Sequence, residues 1–454
     1  MFTKKKPDAS RREAYHFAFQ MAWPAVVESF FVAFAGLIDS LMVSSLGSTA
    51  VAAVGLTTQP KFISLCFFLA SNVAISALVA RRRGEEDRRG ANRVFITAFL
   101  VQLVVVLLIS SLCVIFAPTF MGWAGANEDT LALSSQYFRI ISIGLIFNAL
   151  FLSISAAQRG SGNTRIAMYT NVTGTLVNIL GNYLLIGGNL GFPALGIQGA
   201  AIATMSGFLV SFLLMFLSIL SDKPFVNLLY LFKNRVRPRL RTLKSLTVLS
   251  SGIFLEQLLM RAGFLMTALM AANLGTDAFA AHNVGMDLLT LSFSFGDGMQ
   301  AASVALIGRS LGQGKPKQAM EYGFVCQRIG FCISLCIFFT YFLGGRALYG
   351  LFFEEAHIIE YGIQILRILS ITVVVQISGV IFTSSLRGAG DVVYTTCVST
   401  ISVTIIRTVA GYVCCYVLGW GLPGLWVGVF SDQFCRLVCG YLRFRSGSWT
   451  KLKI

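Results

Sequence analysis

Apolar segments long enough to cross a lipid bilayer recur along the whole chain, and this feature limits its possible folds the most. Residues 94–117 and 166–186 are two examples, and neither contains a charged side chain. A helix of about 20 residues spans about 30 Å of hydrocarbon. Transmembrane strands would need segments of about ten residues with alternating polarity, which these segments lack. Twelve such windows fit the chain. The sequence therefore predicts an all-α integral membrane protein with twelve transmembrane helices.

The composition excludes a water-soluble domain. Hydrophobic residues make up 56% of the 454 residues and charged residues only 12%, and the mean hydropathy is +0.74. A soluble fold of this composition would expose large apolar patches. The formal net charge of +16 raises the possibility of nucleic-acid binding, but the position of the charges decides that question.

Basic side chains are concentrated in alternate loops. Three segments are rich in Lys and Arg: residues 4–12, 81–93 and 223–244. Four intervening segments contain neither residue: 47–57, 118–130, 187–197 and 273–277. By the positive-inside rule, both termini lie in the cytoplasm, and the chain is a multi-pass protein of the inner (plasma) membrane. This distribution argues against a nucleic-acid partner and for contact with membrane lipids.

The chain contains an internal repeat with a shift of 228 residues. This shift relates Gly47 to Gly275 (275 − 47 = 228), and it also relates two arginine motifs in the first half to two in the second. These motifs begin at Arg139 and Arg367, and at Arg159 and Arg387. Each half holds six crossings, so the halves are predicted to lie parallel, related by a pseudo-twofold axis along the membrane normal.

The repeat and the basic loops predict the organisation of the chain. The expected parts are a cytoplasmic N-terminal tail (1–14), an N-lobe with helices one to six (15–220), a cytoplasmic linker (221–244), a C-lobe with helices seven to twelve (245–442) and a cytoplasmic C-terminal tail (443–454). A cleft between two such lobes opening to one face at a time is what alternating access requires.

Four motifs together resemble the multidrug and toxin extrusion (MATE) family over nearly the whole chain. They are Asp39 to Gly55, the turn from Gln158 to Thr164, Gly196 to Thr204, and Leu386 to Asp391. The resemblance implies a monomeric secondary antiporter, not an enzyme, that needs no cofactor. Its expected activity is export of amphipathic, often cationic, organic compounds in exchange for protons.

Asp39 is an acid within the first predicted membrane helix. Such a side chain costs about 2.5 to 3.5 kcal/mol to insert, so it indicates an ion path unless polar neighbours satisfy it. The chain resembles the DinF-like branch of the family, in which an Asp at this place couples transport to protons and a proline, here Pro24, bends the helix. Tyr137 and Asn178 match that branch's polar cluster. Asn182 departs from it, because the branch often has Asp there.

Glu28 and Glu256 are equivalent positions of the repeat, since 256 − 28 = 228. Two interpretations remain open for them. Glu28 lies eleven residues before Asp39 (39 − 28 = 11), about 16 Å along a helix, so the acids could form an ion-coupling ladder. Alternatively, each glutamate braces its own lobe by bonding to neighbouring helices.

Gln376 bears on the coupling ion. The NorM-like branch has an Asp on helix ten, eleven residues before the Arg-Gly turn, and counting back from Arg387 gives Gln376 (387 − 376 = 11). A neutral amide there favours protons over sodium as the coupling ion.

Arg261 and Asp287 are predicted to form a structural ion pair. They lie at similar distances from the short loop 273–277 that joins two antiparallel helices, so their side chains are expected at similar depth in the membrane.

Three alternatives are kept. Sodium-coupled efflux is one. A lipid or lipid-linked oligosaccharide flippase of the same superfamily is another, although such proteins usually have a basic cavity and the candidate interior here is dominated by Asp39, Glu28 and Glu256. A membrane-embedded enzyme is poorly supported, since His16, His282 and His357 form no catalytic or metal-binding pattern, no nucleotide-binding motif occurs, and no metal site is expected.

Overall fold

The computed structural model describes residues 7–222 and 224–452, and these residues are almost entirely helical, with no β-strand among them. Several residues named above lie outside these ranges. They are residues 1–6 of the predicted N-terminal tail, Lys223 of the predicted linker, and the last two residues, 453 and 454.

Twelve long helices follow one another in the described residues. They are α1 (Pro7–Ser44), α2 (Ser48–Gly84), α3 (Arg88–Ile115), α4 (Glu128–Gly160), α5 (Thr164–Ile186), α6 (Gly196–Ser218), α7 (Leu240–Ala272), α8 (Thr276–Gly312), α9 (Pro316–Gly350), α10 (Ala356–Gly388), α11 (Val392–Val417) and α12 (Gly421–Ser446). Two short helices, Ala117–Trp123 and Leu228–Lys233, lie between them. Nine of the described helices are long and apolar enough to cross a membrane by length and composition.

The internal repeat is visible in the local backbone. Gly47 precedes α2 with φ 96°, and its repeat mate Gly275 precedes α8 with φ 113°. A side chain at either position would be strained, because positive φ places Cβ against the backbone. The same glycine turn therefore starts the second helix of each half.

The chain forms two compact units. The N-terminal unit comprises Val27–Ser250, and the C-terminal unit comprises the chain up to Val26 together with Ser251 onward. Helix α1 contributes to both units, and the change from one to the other falls two residues after Pro24 (26 − 24 = 2). The residue limits of the predicted lobes and linker stay a prediction.

The core of the N-terminal unit is built from closely packed helices. Small residues allow this approach: a Cβ added at Gly207 of α6 would lie 2.6 Å from the carbonyl oxygen of Gly174 on α5. Such small-residue contacts are how helices associate where the surroundings are apolar. Buried apolar side chains, including Phe68 of α2 and Val106 of α3, fill the space between neighbouring helices. These contacts fix the positions of the polar side chains on α2, α4 and α5.

The segment after α6 is held against the N-terminal unit by polar side chains of α3. Arg88 Nε donates to the Phe225 carbonyl (3.1 Å), and the Asn92 amide donates to the same oxygen (3.0 Å). Asn92 Oδ1 also accepts from the backbone N–H of Asn227 at 3.1 Å. The start of the predicted linker is thus ordered by the unit that precedes it.

The C-terminal unit has one large apolar core. Trp426 and Ile365 are fully buried in it, and residues of α1, including Ala18 and Ala22, belong to the same cluster. Helix α11 is irregular: its segments Ile401–Ile406 and Val413–Val417 are π-helical. Such wide turns often mark functional sites, because they change the direction of nearby side chains.

Candidate functional site

Asp39 lies at the centre of a polar cluster in the N-terminal unit. The amide nitrogen of Asn182, on α5, donates to Asp39 Oδ1 at 2.5 Å. One turn earlier on the same helix lies Asn178. In the amide orientation that satisfies both its neighbours, Asn178 donates to the two carboxylate oxygens at 3.0 and 3.2 Å and accepts from Thr204 Oγ1 at 3.1 Å. Two amides therefore hold the carboxylate from one side.

A lysine and a tyrosine complete the cluster. The ammonium group of Lys61, on α2, attracts the Asp39 carboxylate electrostatically. Tyr137, on α4, is 7% exposed and also lies within the electrostatic reach of Asp39. The cluster formed by Asp39, Lys61, Tyr137, Asn178 and Asn182, called the Asp39 cluster below, thus contains one carboxylate and one ammonium group.

Lys61 was missed in the sequence analysis. The available signal was its position: it follows Pro60 and lies thirteen residues after the start of α2 (61 − 48 = 13), within a long apolar helix. A charged residue within a membrane helix is costly to insert and therefore indicates a functional role or a buried partner, as for Asp39. Lys61 adds a basic side chain beside Asp39, and the expectation that Asp39, Glu28 and Glu256 dominate the candidate interior stays a prediction.

Glu28 and Glu256 make the same ion pair in the two halves. Arg159 Nη2 donates to Glu28 Oε1 at 2.5 Å, and Arg387 Nη2 donates to Glu256 Oε1 and Oε2 at 2.6 and 2.5 Å. The sequence separation is identical, since 159 − 28 = 131 and 387 − 256 = 131. Asn171 adds a hydrogen bond of 2.8 Å to Glu28. Both glutamates are buried, each bound to the arginine that ends a helix of its own half.

The remaining predicted residues are distributed between the two units. Gln376 belongs to α10 of the C-terminal unit, where its buried amide atoms have no hydrogen-bond partner within the described residues. Pro24 lies inside α1, which stays helical through it. Arg261 is half-buried on α7, whereas Asp287 is exposed on α8. Their pairing stays a prediction.

A second charged cluster, absent from the predicted site, lies in the C-terminal unit. Asp432 of α12 is fully buried and accepts two hydrogen bonds from Arg436, both of 2.8 Å. Arg407 of α11 approaches the same carboxylate, with 3.2 Å between Nη2 and Oδ2. The signal for this cluster was the presence of three charged residues in predicted membrane helices.

The Asp39 cluster can change its charge by one unit through a single proton. For a protonated Lys61, the ionised Asp39 carboxylate and the ammonium group sum to zero, and protonation of Asp39 changes the local charge to +1. Because Coulomb interactions are strong away from bulk water, this difference alters the attraction of the cluster for a charged ligand.

The same family model matches the chain twice, once in each half. The MatE model covers residues 24–184 and again residues 253–413. The chain belongs to the MatE family. The two matches have equal length and a constant offset (253 − 24 = 229 and 413 − 184 = 229), which is within one residue of the shift of 228, so the family unit corresponds to the repeat found in the sequence.

Relatives of this family cover nearly the full chain. The chain is 24% identical over 437 residues to the uncharacterized transporter YisQ of Bacillus subtilis, covering 95% of this chain and 94% of the relative. It is 25% identical over 441 residues to the probable multidrug resistance protein NorM of Thermotoga maritima, covering 95% and 92%. A solved MATE structure in the straight conformation matches with a TM-score of 0.89 at 22% identity, covering 95% of this chain and 96% of that one.

These comparisons confirm several predictions. The chain is a member of a family of multidrug efflux transporters, and its fold is the all-α, twelve-helix, two-lobe fold of MATE transporters. Members of this family are transporters, which confirms that the MatE chain is not an enzyme. Its assignment to the DinF-like branch stays a prediction.

Proposed function

We propose that this MatE protein exports amphipathic, cationic organic compounds in exchange for protons, with Asp39 as the coupling group. One observation carries the proposal: the Asp39 carboxylate is held by the side-chain amides of Asn178 and Asn182 inside the N-terminal unit. The electrostatic attraction of Lys61 supports it. The names of the relatives, among them a probable multidrug resistance protein, support the substrate class.

The proposed mechanism is a competition for the Asp39 carboxylate. A cationic compound competes with Lys61 for the ionised acid, and the apolar side chains around it accept the rest of the molecule. When a proton arrives, the carboxylate becomes neutral and Lys61 repels the cation. Binding of proton and substrate thus exclude each other, which is the condition that an antiporter has to meet.

Glu28 and Glu256 are proposed to brace their lobes, the second of the two interpretations left open above. Each carboxylate is bound to an arginine of its own half, Arg159 being half-buried and Arg387 buried, and the pair is repeated in both halves. To take up a proton, such a carboxylate would have to give up its ion pair with the arginine, which disfavours its protonation. Coupling is therefore assigned to Asp39 alone.

Pro24 is proposed to act as a hinge in α1. Proline removes one backbone hydrogen bond and weakens the helix at that point. The helix passes from one compact unit to the other two residues later. A bend near Pro24 would change the environment of Asp39, which lies fifteen residues further along the helix (39 − 24 = 15).

Efflux is expected to run on a proton gradient and to survive the removal of sodium. Na⁺ prefers several anionic or carbonyl oxygens, whereas the Asp39 cluster has one carboxylate already facing an ammonium group, and Gln376 replaces an acid in the other unit. The measurement is uptake of a fluorescent organic cation into proteoliposomes with an imposed pH gradient in sodium-free buffer. An imposed sodium gradient at equal pH is the control, and strict dependence on it would contradict the proposal.

We propose that the protein is a monomer in the inner (plasma) membrane. In the proposed topology, both termini lie in the cytoplasm. Cysteines introduced at Arg82 and Arg237 should resist a membrane-impermeant thiol reagent in intact cells, whereas cysteines at Asn127 and Gly188 should react. A background without exposed native cysteines, such as Cys332 and Cys397, is needed. Labelling at position 82 from outside would overturn this topology.

A further inference from the structure

The C-terminal unit contains a buried guanidinium group that the proposed mechanism does not use. Arg407 on α11 is 1% exposed, and its Cζ lies 4.7 Å from the centre of the Phe264 ring. The nearest acid is Asp432, but Arg436 already donates to both oxygens of that carboxylate, each at 2.8 Å. Arg407 is thus the second arginine at the Asp432 carboxylate, both oxygens of which already accept a hydrogen bond from Arg436.

Two guanidinium nitrogens of Arg407, Nε and Nη1, are buried and have no hydrogen-bond acceptor among the described residues. The third nitrogen, Nη2, lies 3.2 Å from Asp432 Oδ2 and forms an ion pair with it. Burying polar groups without partners is costly, and the cost is largest for a charged group. Native proteins rarely leave such donors unsatisfied. The missing partner must be an acceptor, since a guanidinium group only donates.

Two further buried groups of the C-terminal unit, on α8 and α12, also lack partners. The indole Nε1 of Trp426 and the ring Nδ1 of His282 make no hydrogen bond among the described residues. The two rings are 5.5 Å apart, and the positive charge of Arg407 acts on His282. Like the guanidinium, an indole N–H only donates. These groups together favour a ligand that accepts hydrogen bonds.

The local charge favours an anion. The ion pairs that the described residues form here contain two acids, Asp432 and Glu256, and three cations, Arg387, Arg407 and Arg436. Glu256 is paired with Arg387, and Asp432 is shared by Arg436 and Arg407, so the three positive and two negative charges of these five side chains sum to +1. One bound monoanion would neutralise the cluster.

The repeat gives an independent view of the same position. In the N-terminal unit a neutral contact joins α5 to α6, in which Thr204 Oγ1 donates to the side-chain oxygen of Asn178 at 3.1 Å. In the C-terminal unit the corresponding helices, α11 and α12, are joined by Arg407 and Asp432. The π-helical segments on either side of Arg407 exist in α11, whereas α5 is a regular α-helix. By the shift of 228 residues, Thr204 corresponds to Asp432 (432 − 204 = 228), whereas Arg407 lies one residue beyond the position that corresponds to Asn178 (407 − 178 = 229).

We infer that Arg407, Trp426 and His282 form a binding centre for one monovalent anion in the C-terminal unit, either chloride or the carboxylate group of a small organic acid. Both are compact acceptors that several N–H donors can surround. The inference is independent of proton-coupled export, because it concerns other residues in another unit.

The test is anion binding by the purified full-length protein. The protein is equilibrated in gluconate, whose bulk excludes it from a closed site, and then titrated with sodium chloride or sodium acetate while its melting temperature and tryptophan fluorescence are followed. We expect a saturable rise in melting temperature, since a ligand that binds only the folded state stabilises it. Arg407→Gln should weaken the apparent affinity by about tenfold or more, because a charge-assisted hydrogen bond is lost.

Controls separate a specific site from a general salt effect. Arg367→Gln removes the same charge from an exposed side chain of the same unit and should leave the titration unchanged. Trp426→Phe keeps an aromatic ring but removes one donor, so it should weaken binding even if Arg407→Gln does not fold. A response to both salts assigns the site to carboxylates as well as chloride, and a response to chloride alone assigns it to chloride. No response in the wild type, or equal responses in the wild type and all three variants, would overturn the inference.

Discussion

Asp39→Asn is expected to abolish proton-driven efflux while the folded protein remains in the membrane. Asparagine has nearly the same size and still accepts a hydrogen bond from Asn182 through its side-chain oxygen. It cannot titrate, and it leaves Lys61 without a negative partner. The measurement is export of a fluorescent cation by vesicles with an imposed pH gradient, with the amount of folded transporter checked by size-exclusion chromatography.

The matched control for this substitution is Asp129→Asn. Asp129 is an exposed acid in the first turn of α4, so the same chemical change there should leave transport unchanged. Full transport against a gradient by the Asp39→Asn protein would mean that the acid is structural, and the proposed mechanism would then be wrong.

Lys61→Gln tests the electrostatic part of the mechanism. Without the ammonium group, protonation changes the charge of the cluster from −1 to 0 rather than from 0 to +1. We therefore expect tighter binding of an organic cation and slower release. In binding measurements the dissociation constant should fall, while the maximal transport rate also falls. An unchanged dissociation constant would show that Lys61 does not compete with the substrate.

Glu256→Gln is expected to lower the stability of the protein strongly. The carboxylate is 3% exposed and accepts two hydrogen bonds from Arg387, itself buried. Removing one partner of a buried ion pair leaves the other charge uncompensated, at a cost of about 3 to 5 kcal/mol. The melting temperature in detergent is the measurement. Glu28→Gln should have a smaller effect, because the side chain of Arg159 is 24% exposed and water can solvate it.

Glu85→Gln supplies the control for both glutamates. Its ion pair with Arg82 has a similar length, 2.6 Å, but both side chains are about one-third exposed. Exposed pairs contribute about 0 to 1 kcal/mol, so its melting temperature should hardly change. If Glu256→Gln keeps its melting temperature and loses only transport, the bracing role is wrong and the glutamate belongs to an ion path.

Much of the fold was predictable because membrane helices are long and apolar, and because the repeat has fixed spacing. The shift that relates Glu28 to Glu256 also relates Arg159 to Arg387. In the structure, the two equivalent pairs of residues form the same ion pair, once in each half. The predicted neighbours Asn178 and Asn182 do contact Asp39, since residues one turn apart share a face of α5.

The partners across helices were harder to predict. Whether a charged side chain in the middle of a helix points to lipid or to a neighbour depends on the rotation of that helix, and nearly uniform apolar sequences carry little information about rotation. Lys61 and Asp432 were missed for this reason. The π-helical segments of α11 added a second difficulty, because they change the side-chain direction of Arg407 relative to a regular helix.

The shared first helix limits how this protein can be divided. Suppose that the gene is cut within residues 221–244, between the two halves of the repeat. The first fragment would then carry Ala18, Met21 and Ala22, although these residues belong to the core of the C-terminal unit. The other fragment would lack part of its own core and would present an apolar groove to lipid or to other chains. Co-expressed fragments should therefore associate through the start of α1, and the second fragment expressed alone should be recovered folded only when a peptide covering residues 12–26 is supplied with it.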